Sequence, residues 1–274
     1  MPGDDSSDPG RAPLDAAALS AQLVDGSRLW RSLEVVERIG STNAALAAAA
    51  ADDAPEGTVL VAEHQEAGRG RLDRVWTSPP RAGLTVSVLV RPEVPAARRA
   101  WLSLLTGVAL AEAASEVASV RASLKWPNDL LAADGRKLAG ILAETSGQAV
   151  VVGAGLNVST RADELPDTGT SLALVAGAPV DRAAVLLAYL RAFERRYVRW
   201  VDALGDPVSS GVAQDYLARC STVGTTVAVT MPDGSVLDGV AEAVDWDGRL
   251  VVRTASGVLG LASGDVRHVR PATR

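Results

Sequence analysis

Three arginines are interleaved with glycine in the segment Gly68-Arg69-Gly70-Arg71-Leu72-Asp73-Arg74, and Trp76 follows closely. Glycine lets a ligand approach the backbone and leaves N–H groups open to an anion. Arginine adds a forked, charged donor that matches phosphate or carboxylate. The chemistry on offer is the capture of a small anion. The segment is not a P-loop, because no Gly-Lys-Ser/Thr follows and no helix starts there, and it is not a dinucleotide fingerprint. A flexible surface loop or a weak RNA-binding patch would use the same composition.

Lysine is rare. Only Lys125 and Lys137 occur among 27 basic residues, and Asn43, Asn128 and Asn157 are the only asparagines. Coding bias in a GC-rich genome accounts for the scarcity. It does not account for all five falling between residues 41 and 157. A lysine kept where arginine otherwise serves suggests a site that needs a compact ammonium, with a structural ion pair as the plainer alternative.

Each lysine sits in a short motif. Lys125 opens Lys125-Trp126-Pro127-Asn128-Asp129. Proline holds Trp126 extended and leaves Asn128 and Asp129 at a turn. A carboxamide there can read a donor and an acceptor on a base edge. An ordinary β-turn with an Asx cap fits equally well. Lys137 lies in Gly135-Arg136-Lys137-Leu138-Ala139-Gly140-Ile141-Leu142. The small residues Ala139 and Gly140 would leave room for a ligand above a strand; a hairpin turn with an exposed lysine is the other reading. Gly153-Ala154-Gly155-Leu156-Asn157-Val158 again brings backbone close to something, with one asparagine beside it.

These motifs need elements to hold them. Residues 14–24 carry a weak helical pattern, and Leu33–Ile39 reads as a strand. Ser41 or Thr42 caps an alanine-rich helix running to Asp52. Thr58–Glu63 and Leu84–Val90 read as buried strands flanking the basic loop. Residues 97–118 form a helix with Trp101, Leu104, Leu105 and Val108 at helical spacing. Short strands are expected at Ser123–Trp126, Asp129–Ala132, Leu138–Glu144 and Val150–Gly155. A second long helix spans 181–204, with Leu186, Leu190, Phe193, Tyr197, Trp200 and Leu204 on one core-facing stripe. After Cys220, short β-rich segments alternate with turns such as Pro232-Asp233-Gly234 and Asp247-Gly248. That texture suggests a small barrel or sandwich of about 50 residues.

Bulk properties narrow the classes. The 274 residues are 47% hydrophobic and 22% charged, which suits a globular protein with a sizeable core. A net charge of -6 argues against broad nucleic-acid or membrane-surface binding. Cys220 is the only cysteine, and His64 and His268 the only histidines, so neither a disulfide nor a zinc set is readable and no protein metal site is expected. A reducing cytoplasm fits. No signal peptide is visible. No run of about 18 apolar residues suggests a membrane span.

Taken together, the motifs resemble the biotin–protein ligases (biotin–[acetyl-CoA-carboxylase] ligases). The likeness rests on Ser41-Thr42-Asn43, Gln65, the Gly-Arg-Gly-Arg loop with Trp76, Lys-Trp-Pro-Asn-Asp, Arg-Lys-Leu-Ala-Gly-Ile-Leu and Gly-Leu-Asn-Val. It spans roughly residues 33–200, and Val244-Asp245, Gly248-Arg249-Leu250 and Gly264-Asp265-Val266 resemble the family's C-terminal domain. The resemblance implies an α+β fold: a class II aminoacyl-tRNA-synthetase-like catalytic domain, a mixed sheet with flanking helices, followed by a small SH3-like β-barrel. The expected boundaries are a disordered tail at 1–12, the catalytic domain at 13–218 and the barrel at 221–272.

The implied reaction uses ATP, Mg²⁺ and biotin. Biotin is activated as biotinoyl-5′-AMP and passed to a lysine of a biotin carboxyl carrier domain of an acyl-CoA carboxylase. By resemblance, Lys137, Arg69 and Arg71 are catalytic. Ser41, Thr42, Asn43, Gln65, Arg69, Gly70, Arg71, Lys137 and Gly140 match biotin-binding positions. Arg74, Trp76, Lys125, Asn128 and Asn157 match the nucleotide side. Asp73 departs from the glycine common at its place in the family; it is expected to face outward and stiffen the loop.

Bifunctional members carry a DNA-binding domain ahead of the catalytic one. About 30 residues precede Leu33 here without a helix-turn-helix pattern, so a monofunctional enzyme is expected, with no DNA or membrane partner, as a monomer or weak homodimer. Lipoate ligases and octanoyltransferases of the same fold are the nearest rivals. A non-catalytic biotin or nucleotide sensor and an RNA-binding module belong to other classes; biotin-dependent pyrophosphate release separates the first, and the net acidity weighs against the second.

Overall fold

The structure, a computed structural model, describes residues 11–72 and 74–269. The expectation for Asp73 therefore lies outside the described residues, as does most of the expected tail. Described Arg11 pairs with Glu164 at 2.6 Å, and Ala12 O accepts from Arg182 at 2.8 Å.

The chain first runs α1 (Ala16–Val24), β1 (Ser32–Ile39), α2 (Thr42–Ala51), β2 (Thr58–Gln65), β3 (Gly83–Val90), α3 (Trp101–Ala118), β4 (Ser123–Lys125), β5 (Asp129–Leu131), β6 (Lys137–Ser146) and β7 (Ala149–Asn157). Then follow α4 (Leu172–Ala176), α5 (Arg182–Asp202) and α6 (Val212–Leu217). Seven strands form one mixed sheet in the order β1-β2-β3-β7-β6-β5-β4, with β1 and β2 parallel and the other pairs antiparallel.

Local chemistry sets the elements. Ser41 Oγ accepts from Ala44 N at the start of α2, whose alanines favour helix. Asp181 caps α5 by accepting from the amides of Ala183 and Ala184. Ser119, with φ +55°, ends α3. Together with the helical turn before it, α3 makes a stretch, Ala96–Ala118, long and apolar enough to cross a bilayer; packing against α5 accounts for its character, since residues such as Trp101, Leu105 and Val108 are buried in the core. On α5 the expected stripe is buried from Leu186 to Trp200, but Leu204 is 76% exposed. The helix stops at Asp202, and Leu204 adopts φ +54°, which takes it off the stripe.

Strand periodicity divides the sheet into two faces. On β3 and β7, Leu84, Val86, Val88, Val150, Val152, Ala154 and Leu156 face the main core. Their alternates Thr85, Ser87, Gly153, Gly155 and Asn157 face the other way, in line with Gly140, Leu142 and Glu144 of β6. Helix α2 covers one end of this second face by packing Leu46 and Ala50 against Leu89 and Val151. The other end is open. Ala139, expected to leave room for a ligand, is fully buried on the core face; only Gly140 opens the cleft side.

The C-terminal part is β8 (Thr226–Thr230), β9 (Val236–Val244), β10 (Leu250–Thr254), β11 (Gly257–Leu261) and β12 (Asp265–His268). The expected SH3-like barrel does not close. The five strands form an open sheet, β11-β10-β9-β8-β12, and among the described residues its edge strands β11 and β12 do not pair. Closure needs every strand paired on both sides. Instead β12 runs back antiparallel to β8, and β11 buries only Leu261, so little apolar surface draws the two edges together. The sheet's core residues Val227, Val229, Ala241, Leu250, Val252 and Val266 join the main core.

Candidate active site

The open end of the second face is the floor of a cleft of about 800 Å³, and every residue singled out for a site lines it. Glycine makes the space. A Cβ on Gly153 would lie 2.2 Å from Asn43 Oδ1, and one on Gly155 would lie 2.4 Å from Trp76 Cε2. The Trp76 ring thus rests directly on β7 backbone, where any side chain would displace it.

At one end the floor is closely hydrogen-bonded, and its lining groups are neutral, with the Glu144 carboxylate bonded to Asn43. Thr42 N and Oγ1 both donate to Gln65 Oε1, at 2.8 and 2.9 Å. Ser87 Oγ lies 2.7 Å from Thr42 Oγ1 and 2.6 Å from Asn43 Oδ1. Asn43 Nδ2 donates to Leu142 O at 3.1 Å and to Glu144 Oε2 at 2.8 Å. Ser41, Thr42, Asn43 and Ser87 are all buried. The helix start supplies the first three residues and the sheet supplies Gln65 and Ser87. The backbone therefore fixes what these groups can present.

Lys137 opens β6 and is held on both sides. Its N–H donates to Thr168 O at 2.8 Å, and its carbonyl accepts from Thr170 N at 2.9 Å. The ammonium folds back over Gly140, 5.9 Å from the Trp76 ring centre and 2.6 Å from Asp129 Oδ1. Register explains the pair: Asp129 stands directly opposite Gly140. The two asparagines placed on the nucleotide side are turned onto backbone. Asn128 Nδ2 donates to Ile141 O and Asn157 Nδ2 to Thr170 O, each at 3.0 Å. Among the described residues, neither side-chain oxygen accepts a hydrogen bond.

The glycine–arginine segment forms a tight turn over the cleft, with Gly70 N donating to Arg74 O at 2.6 Å and Trp76 N to Gly68 O at 2.9 Å. Its arginines meet carboxylates. Arg69 Nη2 lies 3.2 Å from Glu144, and Arg74 is ion-paired with Asp265 of β12. Burial lowers the pKa of Arg71, against the opposing pull of Asp129 and Asp265. An arginine keeps its charge at neutral pH regardless. Asp265 is held below the usual carboxylate range by its hydrogen bond to Arg74, with further help from Lys125 and Arg71. Lys125 also acts on His268, whose pKa is lowered first by burial and then by that charge.

The C-terminal sheet therefore closes one side of the cleft through Gly264, Asp265, Val266 and Arg267. It is docked by Trp126 Nε1 donating to Gly248 O at 3.0 Å and Trp101 Nε1 to Trp246 O at 2.8 Å. The peptide Trp126–Pro127 is cis. Sequence reasoning missed Asp129 and Asp265 in the cleft lining, and Ser87 and Glu144, which bond to the lining residues Thr42, Asn43 and Arg69. Asp129 and Asp265 sat inside quoted motifs and could have been found there. Ser87 and Glu144 carried no local signal.

A neutral, hydrogen-bonding floor beside a lysine and a cationic rim suits an enzyme that joins a carboxylic acid with a polar neutral head to a phosphate. Comparison with known proteins agrees. Residues 35–158 match the Biotin/lipoate A/B protein ligase family, and residues 222–269 match the biotin protein ligase C-terminal domain. The chain is 42% identical over 265 residues to the biotin–[acetyl-CoA-carboxylase] ligase of Mycobacterium tuberculosis, covering 95% of this chain and 97% of that one. It is 35% identical over 224 residues to the bifunctional ligase/repressor BirA of Bacillus subtilis, covering 78% of this chain and 67% of that one. The biotin protein ligase from Aquifex aeolicus, in complex with biotin and ATP, has a TM-score of 0.74 at 27% identity, over 88% of this chain and 100% of that one. The chain belongs to the Biotin/lipoate A/B protein ligase family, on its biotin protein ligase branch.

Proposed function

We propose the following division of labour for the family's reaction in this cleft. The chain is an ATP-dependent biotin–protein ligase. It activates biotin to biotinoyl-5′-AMP and then transfers biotin to a lysine of a carrier protein. The observation that carries the residue assignment is the convergence of both lysines, the loop arginines and the buried carboxamides on one cleft.

In the first step a biotin carboxylate oxygen bonds to the α-phosphorus of ATP and the bond to the bridging oxygen of the β-phosphate breaks, releasing pyrophosphate. Two anions must meet, so the site has to supply cations and N–H donors where charge builds up. Lys137, mid-cleft over Gly140, bridges the carboxylate and the α-phosphate once substrate displaces it from Asp129. Arg69, Gly70 and Arg71 fold over the intermediate and keep water from the anhydride. Ser41, Thr42, Asn43 and Gln65 bind the ureido ring. Arg74, Trp76, Lys125, Asn128 and Asn157 take the nucleotide, with the side-chain oxygens of the two asparagines available to the adenine amino group. In the second step the neutral amine of the carrier lysine attacks the acyl carbon. The carbon–oxygen bond to AMP breaks, AMP leaves, and the amine proton passes to solvent.

Among the described residues no three of His, Cys, Asp and Glu gather to hold a metal, and Asp129 is engaged by Lys137. Mg²⁺ accordingly enters bound to the phosphates, as part of the Mg-ATP substrate. We take the partner to be the biotin carboxyl carrier domain of an acyl-CoA carboxylase and the compartment to be the cytoplasm. We also take the enzyme to be a monomer or weak homodimer that leaves DNA alone, in keeping with its charge of -6. Residues 13–218 form the catalytic unit and 221–272 the C-terminal one in this reading.

The test is pyrophosphate release with Mg-ATP and biotin, followed by labelling of an added carrier domain. Release that depends on biotin and collapses in Lys137→Ala supports the assignment. Release with lipoate in place of biotin moves the chain to the sister branch, and tight biotin binding without release makes it a sensor.

A further inference from the structure

Glu144 is out of place by charge. It shares a face of β6 with the cleft-lining Gly140 and Leu142, close to a cleft proposed to hold anions, and its cross-strand neighbour Val151 offers it nothing polar. Its two contacts give it a purpose. One is Asn43 Nδ2 at 2.8 Å; the other is Arg69 Nη2, 3.2 Å away.

The Asn43 amide has two ends, and only one orientation fits. Its Nδ2 faces Leu142 O and Glu144 Oε2, both of which can only accept. A flipped amide would set its oxygen against a carbonyl and a carboxylate. Glu144 thereby keeps Asn43 Oδ1 turned toward Ser87 and over Gly153, as an acceptor fixed in direction. The same carboxylate holds the first arginine of the loop. Arg69 is half exposed and sits on a turn whose neighbour Leu72 is 51% exposed with φ +54°, so little apolar packing fixes it.

We propose that Glu144 is a positioning residue that sets the Asn43 amide and tethers Arg69, so that one carboxylate couples the pocket floor to the loop covering it. The coupling rests on the biotin reading of the floor, whereas the tether can be measured without any ligand. The two effects separate by substitution. Glu144→Gln keeps an acceptor for Asn43 but loses the charge that holds Arg69. Glu144→Ala loses both.

The experiment uses the full chain and the variants Glu144→Gln, Glu144→Ala and Arg69→Gln, with thermal unfolding to check that each is folded. Trypsin cleavage after Arg71 and Arg74, read by mass spectrometry without ligand, reports loop release. It is expected to quicken roughly fivefold in all three variants through local opening, and combining Glu144→Gln with Arg69→Gln adds nothing further. The KM for biotin in pyrophosphate release is expected to rise about tenfold in Glu144→Ala, the scale of one lost hydrogen bond to a charged group. Glu144→Gln restores most of that loss, while kcat moves less. Unchanged cleavage in the glutamine and alanine variants overturns the tether. An unmoved KM in Glu144→Ala, or equal KM values for the two, overturns the positioning of Asn43. A wild-type chain that releases no pyrophosphate with biotin refutes the ligase reading instead, and leaves the cleavage result standing.

Discussion

Around Asn43 the polar groups are buried and bond to one another, to backbone and to the Glu144 carboxylate. Beside them, Arg69 and Arg74 present exposed cations held by carboxylates from β6 and β12. The first region is set before any ligand arrives, because hydroxyl and amide directions follow from strand and helix positions. The second is held by ion pairs that another anion can replace. Exposed pairs contribute little to stability and exchange readily, whereas an unsatisfied buried group is costly. In the proposed division of labour the floor selects one molecule and the rim lets phosphates in and out, and the two constructions suit those tasks.

The largest effect is expected where the regions meet. Lys137→Ala should lower biotin-dependent pyrophosphate release by about 10²–10³-fold, the scale of losing one preorganised electrostatic donor. Lys137→Arg should not restore it, because a planar fork cannot fold back over Gly140 as the ammonium does. Near-normal release in either variant would remove Lys137 from the chemistry. Next is Gly155→Ala. Its Cβ would sit 2.4 Å from Trp76, so the ring must leave the sheet. ATP should bind roughly tenfold more weakly, in proportion to a lost ring contact, while biotin affinity holds, as titration of each ligand separately would show.

Ser87→Ala tests the floor by removing the hydroxyl between Thr42 and Asn43. It should cost about 1–2 kcal/mol in unfolding free energy, with weaker biotin binding. Arg74→Ala tests the rim and should change stability by under about 0.5 kcal/mol, since its pair with Asp265 is exposed. Raising salt should weaken ATP binding far more than biotin binding, because biotin brings a single carboxylate to these cations and ATP several phosphate charges. Equal salt dependence for the two ligands would undo the contrast.

The smallest effect concerns pH. Burial lowers the pKa of His268, so the folded chain takes up a proton less readily than the unfolded one. Stability is expected to fall as pH drops below about 6.5 and to go on falling until the lowered folded value is passed. His268→Gln should flatten that part of the stability curve, as chemical unfolding at several pH values would show; an equal slope in wild type and variant would mean that other groups carry it.

Much of this site was legible in the chain. The lysines, asparagines and glycine–arginine run each stood in a short motif, and short motifs survive folding as local structure. What failed to read out was pairing. Asp129 was visible next to Asn128, but its hold on Lys137 depends on the β5–β6 register. Glu144 was one residue in an alternating strand. Ala139 and Gly140 looked alike as small residues until the sheet turned them to opposite faces. Leu204 followed the helical stripe one turn too far: the stop signal Gly205-Asp206-Pro207 stands just after it, while the left-handed backbone already begins at Leu204.

The sequence by itself determined the helix caps, the strand alternation, the chemical inventory and, through its motifs, the family. These depend on neighbours within a turn or two of chain, so residue order is enough. Tertiary structure alone decided which face of the sheet is the cleft, which carboxylate holds which cation, and that the C-terminal strands stay open between β11 and β12. Those outcomes depend on contacts between residues tens to hundreds of positions apart, such as Arg74 with Asp265. Their energies exist only once the whole sheet is in register.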